Sequence, residues 1–501
     1  MFRNQRKSCA MKAAPRPIGA GVSSADTRTV IVSWHWPPTQ RASATVLGNL
    51  FRAAPLEAFH LVTRAFTGLP KPSDFSGRIP ATCIRWPGDD QRPTSLRDWP
   101  ACVRVVRQMV DAVSVLAQSQ RAHRILAVYP HRLSLLAGWL AAKRTRLPLA
   151  LYMHDLMAEA LVFRDPVRRP FWRLVDRRAL AAADLVIVPT QEFADHYHSR
   201  GVHQTWVLPH CAASHDALPL PPADSRVVLR IVYSGMIYEP HVEAIRAFAA
   251  ATGGLKDVKI DYYSPPGGCD GLMGRLGARW VGLADARAAM HGADVLVVLL
   301  GSTQFRQEVQ GCFPSKIIEY LSVGRPILAV VPAGSFVHRL VETTGIGVAV
   351  TDLHSDSIRR GIDELRCPER RRSMSAAAKR VLEQLDADIW MDRLVRRLRL
   401  PADESVQDYP FPDLNTMRGA EKRPSAPPIG VRNSSNAPGV RLFCDCDRTA
   451  VACLPVDCQV DCQLEDAGVG SDSQSKDLPP NDSTRVLTAS AMPSSDITCV
   501  E

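Results

Sequence analysis

Short apolar runs alternate with longer amphipathic stretches along most of this chain, and the alternation happens twice. In the first part the runs are Thr29–Ser33, Ala58–Thr63, Thr82–Trp86, Arg124–Val128, Leu149–Met153, Leu185–Pro189 and Trp206–Pro209. In the second they are Val227–Tyr233, Val258–Tyr263, Asp294–Leu300, Ile327–Val331 and Gly347–Thr351. Runs such as LALYM and ILAVV are apolar on both of the faces a strand presents. Such strands need cover on both sides, which a parallel sheet between two layers of helices provides. Helical patterns over 44–53, 101–118, 132–144, 241–251, 285–291 and 336–344 supply that cover. The sequence therefore predicts an α/β fold of two Rossmann-like, doubly wound domains facing a cleft.

The remaining segments divide the chain. Residues 1–27 form a polar, basic leader without the apolar centre of a secretory signal. The first domain takes 28–210, and the Pro-rich stretch 211–226, free of apolar periodicity, reads as a linker. The second domain takes 227–372, and 373–400 is read as one C-terminal helix, with Met374 to Leu400 as its body. From 401 to 501 Pro, Ser, Asp and Gly dominate and periodicity vanishes, so this tail is predicted to be disordered.

Charge follows the same division. The tail holds 8 Lys/Arg against 16 Asp/Glu, so the chain's net +10 leaves +18 on residues 1–400. A basic body favours anionic partners, among them nucleotides and an anionic membrane surface, although an Arg-rich composition explains the excess equally well. The segment Arg164–Ala183 concentrates it in an amphipathic helix whose bulky apolar residues are Phe171, Trp172, Leu174 and Val175. Either that stripe packs in the domain and the arginines are solvated, or the basic face meets a membrane. No apolar run is long enough to span a bilayer. The 13 cysteines show no paired C-x₂-C spacing, even in the cluster Cys444, Cys446, Cys453, Cys458 and Cys462, so no metal site is expected. Scattered thiols and the missing signal imply a cytoplasmic protein.

The densest local signal is Gly311–Val331, GCFPSKIIEYLSVGRPILAVV. Pro314 suits a helix start and Ser315 a cap. Ile317, Ile318 and Leu321 make an apolar stripe, with Lys316, Glu319 and Tyr320 falling elsewhere on the wheel. Gly324 and Pro326 end the helix before the strand Ile327–Val331. A helix N-terminus at a sheet edge suits a phosphate, Lys316 adds a positive charge, and Glu319 can accept from a ribose diol. The plain alternative is an ordinary αβ unit with a solvated Lys–Glu pair.

Pro314-Ser315-Lys316, Glu319-Tyr320 and Gly324-Arg325-Pro326 resemble the donor-binding segment of GT-B glycosyltransferases of the group-1 (family 4) type. That resemblance implies binding of a nucleotide-diphosphate sugar, with no cofactor and no metal. It assigns Pro314, Ser315, Lys316 and Glu319 to the donor, together with Gly235, which matches the glycine after the second domain's first strand. His154, directly beyond the strand Leu149–Met153, matches a histidine that in the family faces the donor; there it could donate to the sugar or its phosphate, and Asp155 beside it could orient the sugar. Without the resemblance Asp155 reads as a helix cap and His154 as a packed loop residue. Two departures stand out. The first of two glutamates common in the family falls on Gly311, with Glu308 three residues upstream, and the Arg/Lys pair after Gly235 is replaced by Met236-Ile237-Tyr238-Glu239. Arg306 and Lys316 are then the basic candidates for the leaving diphosphate.

The resulting expectation is a retaining sugar transfer to a glycan, lipid-linked or small-molecule acceptor. It is cytoplasmic, peripheral at the inner membrane face, and involves no nucleic acid. A sugar-nucleotide epimerase of similar fold and a non-catalytic nucleotide-sugar binder are the alternatives.

Overall fold

The computed structural model describes residues 28–37, 39, 42–55, 57–65, 79–85, 98–119, 122–157, 168–212, 228–266 and 269–400. The leader, most of the predicted linker and the tail with its cysteine cluster lie outside the described residues.

The first sheet contains β1 (Arg28–Ser33), β2 (Phe59–Ala65), β3 (Ala81–Arg85), β4 (Ala122–Tyr129), β5 (Leu149–Met153), β6 (Leu185–Val188) and β7 (Thr205–Val207). All pairings are parallel, in the order β3-β2-β1-β4-β5-β6-β7. Helices α1 (Ala42–Phe51), α2 (Trp99–Ser119), α3 (Arg132–Thr145), α4 (Arg169–Ala182) and α5 (Gln191–Ser199) connect them. Alternate strand residues enter two separate cores. Val30, Val32, Ile125, Ala127, Leu149 and Val186 pack with α2 to α5 on one face, while Ile31, Leu126, Val128, Ala150 and Ile187 pack with α1 on the other. This double burial is why the strands read as unbroken apolar runs.

The second sheet repeats the plan with β8 (Leu229–Ser234), β9 (Val258–Tyr263), β10 (Val295–Leu299), β11 (Ile327–Val330) and β12 (Gly347–Val350), ordered β12-β11-β10-β8-β9 and again parallel. Its helices are α6 (Val242–Thr252), α7 (Asp270–Arg275), α8 (Leu283–His291), α9 (Arg306–Gly311), α10 (Lys316–Val323), α11 (Phe336–Thr344), α12 (Ser355–Glu364) and α13 (Pro368–Gln384). In each sheet the chain reverses its direction of winding, between β1 and β4 and between β8 and β10. The crevice beyond the strand ends at such a switch point is where open α/β sheets bind ligands.

The predicted single helix over 373–400 is two helices. After α13 the chain turns at Leu385–Asp386, and α14 (Ala387–Arg399) begins with the Asp386 side chain accepting from the Asp388 amide. The turn is held by Ala212, whose amide donates to Leu385 O at 3.0 Å and whose carbonyl accepts from Ala387 N at 2.8 Å. The break lets the chain change partners. α13 packs Ala377, Ala378, Val381 and Leu382 on the second sheet, and α14 packs Trp390, Met391, Leu394 and Leu398 on the first. Each leucine, valine or methionine among them contributes about 1.5–3 kcal/mol when fully buried, and each alanine less. Cys211 and Ala212, at the start of the predicted linker, are buried in these contacts. Helices α5, α7, α9 and α12 have no counterpart in the sequence reading: α5 and α12 carry only three buried residues each, and α7 and α9 span six residues each. Among the described residues no helix is long and apolar enough to cross a membrane.

Candidate functional site

The site builds outward from the end of β8. Gly235 follows it with φ +131°, a backbone conformation closed to residues with a Cβ. Its amide donates to Tyr263 O at 2.9 Å. A Cβ here would lie 2.9 Å from Lys316 Cε, so the glycine also leaves room for the lysine stem to cross. Beyond it, Lys316 Nζ donates to the Tyr233 hydroxyl at 2.8 Å and sits 4.0 Å from the Tyr233 ring centroid. The Tyr233 hydroxyl contacts Met236 O at 3.0 Å and His241 Nδ1 at 3.3 Å. Burial lowers the Lys316 pKa to about 7, with Cys312 and Glu319 drawing it partly back. An ammonium that hydrogen-bonds a phenol, lies on a ring face and makes no ion pair within hydrogen-bond distance among the described residues is placed to take up an anion.

Helix α10 places the other predicted residues. Pro314 is buried, and the helical bonds start with Ile317 N to Pro314 O at 3.0 Å and Ile318 N to Ser315 O at 3.1 Å. Ser315 has helical dihedrals and makes no side-chain cap bond, contrary to the predicted role. Its hydroxyl is left for something other than the helix. Glu319, one turn after Lys316, is half-buried; burial raises its pKa while Lys316 and Arg287 on α8 oppose the rise. Tyr320, assigned from the sequence to the open side of the wheel, is fully buried. Its hydroxyl accepts from Ser234 N at 3.0 Å and faces Ser234 O at 3.2 Å and Val297 O at 3.3 Å, fixing the strand end beneath the lysine. The helix thus needs a polar group on its inner face to satisfy a strand terminus, which apolar periodicity does not register.

Arg306 does not join this cluster. It is exposed at the first turn of α9 and makes no ion pair among the described residues. Gly311 ends the same helix against the first half. A Cβ there would overlap the Phe193 ring, and the Thr190 hydroxyl donates to Gly311 O at 2.7 Å. The position where the resemblance expects a glutamate has no space for a side chain. Glu308 lies one turn earlier: burial raises the pKa of the Tyr129 and Tyr238 hydroxyls and of the Cys312 thiol, and the Asp155 and Glu308 carboxylates add a smaller push in the same direction. Lys316 acts on the same thiol in the opposite sense. Asp155 from the first half and Glu308 and Lys316 from the second are thus near enough to Cys312 for their charges to act on its thiol.

Three adjacent strand ends of the first half meet this loop. β5 delivers His154, β6 delivers Thr190 and β7 delivers His210, which stacks on Phe313 with ring centroids 4.9 Å apart and planes 16° apart. His154 and His210 lie 5.8 Å from one another. Both are buried, and burial holds them neutral: His154 falls well below its usual pKa and His210 falls to about 3. His154 Nε2, both nitrogens of His210 and the Tyr152 hydroxyl have no hydrogen-bond partner among the described residues. Arg339 of α11 and Glu192 of α5 form an ion pair between the halves. His210, Tyr233 and Tyr238 were not identified from the sequence. The only local signal for His210 is its place just beyond a strand end. Among the described residues no three His, Cys, Asp or Glu side chains are grouped to hold a metal ion.

Residues 41–210 match the family model of the glycosyl transferase 4-like domain. No curated protein sequence matches the chain. Among solved structures, sucrose-phosphate synthase from Thermosynechococcus elongatus superposes with a TM-score of 0.56 at 18% identity, over 74% of this chain and 99% of that one. HepE from Anabaena, solved in complex with UDP and glucose, gives 0.55 at 16% identity with the same coverages. Trehalose-6-phosphate synthase OtsA gives 0.54 at 14% identity, again over 74% and 99%. These similarities establish the architecture. The chain has the GT-B fold of glycosyltransferases, and its first half carries a glycosyl transferase 4-like domain.

Proposed function

We propose that this protein transfers a sugar from a nucleotide-diphosphate donor to a glycan, lipid-linked or small-molecule acceptor, with retention of configuration, on the cytoplasmic side of a membrane. The observation that carries the reading is Lys316 drawn across Gly235 at the end of β8, with Glu319 one turn further along α10. Negative charge grows on the departing diphosphate, so a preorganised ammonium in a partly buried site is worth most in the transition state. Lys316 takes that role, aided by the amides at the start of α10. Glu319 accepts from the ribose diol. His154 and Asp155 close on the sugar from the first half, and the neutral imidazole offers one donor and one acceptor to hydroxyls. No cofactor or metal enters this scheme. HepE and a trehalose-6-phosphate synthase from E. coli, solved with UDP and with UDP-2-fluoro glucose, hold such ligands in the same fold.

One observation favours a second reading. Burial chiefly raises the Tyr129 and Tyr238 hydroxyls, but both also feel the Asp155 and Glu308 charges, so the two carboxylates lie in one neighbourhood, and a sugar-nucleotide epimerase needs a carboxylate pair near the sugar. The test is a panel of nucleotide sugars incubated with the purified protein, with and without candidate acceptors. Nucleoside diphosphate released only with an acceptor supports transfer, an altered sugar without acceptor supports epimerisation, and binding without turnover leaves a non-catalytic binder. A further check is Glu319→Ala, expected to blunt discrimination between ribo- and deoxyribonucleotides in calorimetric binding. Unchanged discrimination removes Glu319 from the donor site.

A further inference from the structure

Helix α4 divides its bulky residues between two faces. Trp172, Val175, Ala179 and Leu180 are buried in the first-half core, whereas Phe171 and Leu174 are 38% and 43% exposed. Arg173, Arg177 and Arg178 share the outer surface with them, and none makes an ion pair among the described residues. The helix has one acidic residue, Asp176, and it is buried in an ion pair with Arg200. The outward face is therefore purely cationic, with an aromatic and a leucine one turn apart among the arginines.

Its position matters as much as its composition. The first turn of α4 lies at the cleft end of the sheet: Phe171 packs edge-on against Trp99 at the start of α2, with centroids 5.2 Å apart. Arg132, at the start of α3, lies 5.7 Å from the Trp172 ring. Helix α3 begins just beyond the end of β4, the strand next to β5, so the patch that Trp172 and Arg132 share borders the crevice that also holds His154 and Asp155.

We propose that the outward face of α4 docks on an anionic lipid bilayer. Resting on the proposed sugar transfer, this makes the acceptor a lipid-anchored molecule presented from that surface. Arginines at a bilayer reach headgroup phosphates while Phe171 and Leu174 enter the acyl boundary. A nucleic acid or an acidic protein surface would satisfy the arginines, but its phosphates or carboxylates would leave the two apolar side chains uncovered.

The test is flotation of the full chain with vesicles of phosphatidylcholine alone and of phosphatidylcholine with phosphatidylglycerol, at low and high salt. Binding is expected only to the anionic vesicles and to weaken as salt rises. Arg173→Glu with Arg177→Glu should reduce the partition by about tenfold or more, since each charge near an anionic surface carries about a tenfold effect at most. Phe171→Ser with Leu174→Ser should reduce it comparably with all charges retained. The exposed pair Lys379→Glu with Arg380→Glu on α13 should leave it nearly unchanged. Circular dichroism melts matching wild type confirm that each variant is folded. No binding to anionic vesicles, equal losses in the α13 control, or an apolar pair that leaves binding intact while single-stranded RNA competes it away would each overturn the proposal. Donor binding, measured without vesicles, separates the two readings. A protein that floats but binds no nucleotide sugar refutes the transferase assignment alone, and one that binds nucleotide sugar but never floats refutes the docking face alone.

Discussion

The strand ends of the two halves face the same crevice and treat their polar groups in opposite ways. Beneath the second half's end of the site, Lys316, Tyr233, His241 and Tyr320 are joined to one another or to backbone carbonyls of β8 and the loop after it. On the first half's side, His154 and His210 are as deeply buried, yet three of their ring nitrogens have no partner among the described residues. A buried polar group without a partner costs about 1–3 kcal/mol. The second half's polar groups are thus tied to protein partners, while the first half carries buried ring nitrogens with none among the described residues. The difference assigns fixed charge to one side and hydroxyl recognition to the other.

The largest way to break this comparison is to remove the fixed charge. Lys316→Ala should weaken binding of a nucleotide sugar by about 1.5–3 kcal/mol, the worth of a charge-assisted bond. The depressed pKa makes the wild type itself informative. Lys316, at about 7 in the free protein, is protonated below that pH and must take up a proton to hold a diphosphate above it. Donor affinity should therefore fall by up to about tenfold per pH unit above 7, with proton uptake measurable by calorimetry in buffers of different ionisation enthalpy. Lys316→Arg, charged at all these pH values, should give a flat profile. A flat wild-type profile would show that the diphosphate lies elsewhere.

Next in size is the seam between the halves. Gly311→Glu restores the acid that the resemblance expects, but its Cβ would overlap Phe193. It should destabilise by about 1–3 kcal/mol through overpacking rather than improve turnover. Thr190→Val, which deletes the bond to Gly311 O, should cost about 1 kcal/mol. Urea melts of both variants check the order. A stable and more active Gly311→Glu would mean that the halves part at this seam during the reaction.

What could be read from the sequence follows the same line. The two sheets were legible because both faces of their strands are buried, while Lys316 and Glu319 were proposed from a local helix-start signal and Gly235 from the resemblance alone. Gly235 and Lys316 lie far apart in sequence, yet each was placed separately and the fold brought them into contact. The helix break at Leu385–Asp386 was not legible, since the periodicity continues through it and its cause is the ladder with Ala212. Tyr320 was misread for a similar reason: its hydroxyl bonds to β8 and β10, which its own helix cannot announce. Arg306 was chosen for its charge, and charge alone left it exposed on α9. His210 was missed because its meaning lies in Phe313 and His154, one from the opposite half and one from another strand.

The smallest expected change in stability carries the sharpest test of the first half. His154→Phe and His210→Phe replace neutral rings by an apolar ring of similar shape. Removing one partner of a hydrogen bond destabilises because the other is stranded, but among the described residues none bonds to His154 Nε2 or to either nitrogen of His210. Both variants should therefore melt within about 0.5 kcal/mol of wild type or slightly above it, a shift ordinary for a substitution that breaks no named interaction. His210→Phe should also keep the stack on Phe313, because offset and tilted ring pairs suit two phenyl groups. Function should move the other way. If the imidazoles meet sugar hydroxyls, both variants lose turnover and discrimination between sugars that differ at one hydroxyl, while binding of the free nucleoside diphosphate stays as in wild type. The measurement pairs melts with calorimetric titrations of diphosphate and diphosphate sugar. A clear loss of stability in either variant would mean that these nitrogens are already satisfied in the free protein. The contrast between a wired half and a waiting half would then fail at its most exposed point.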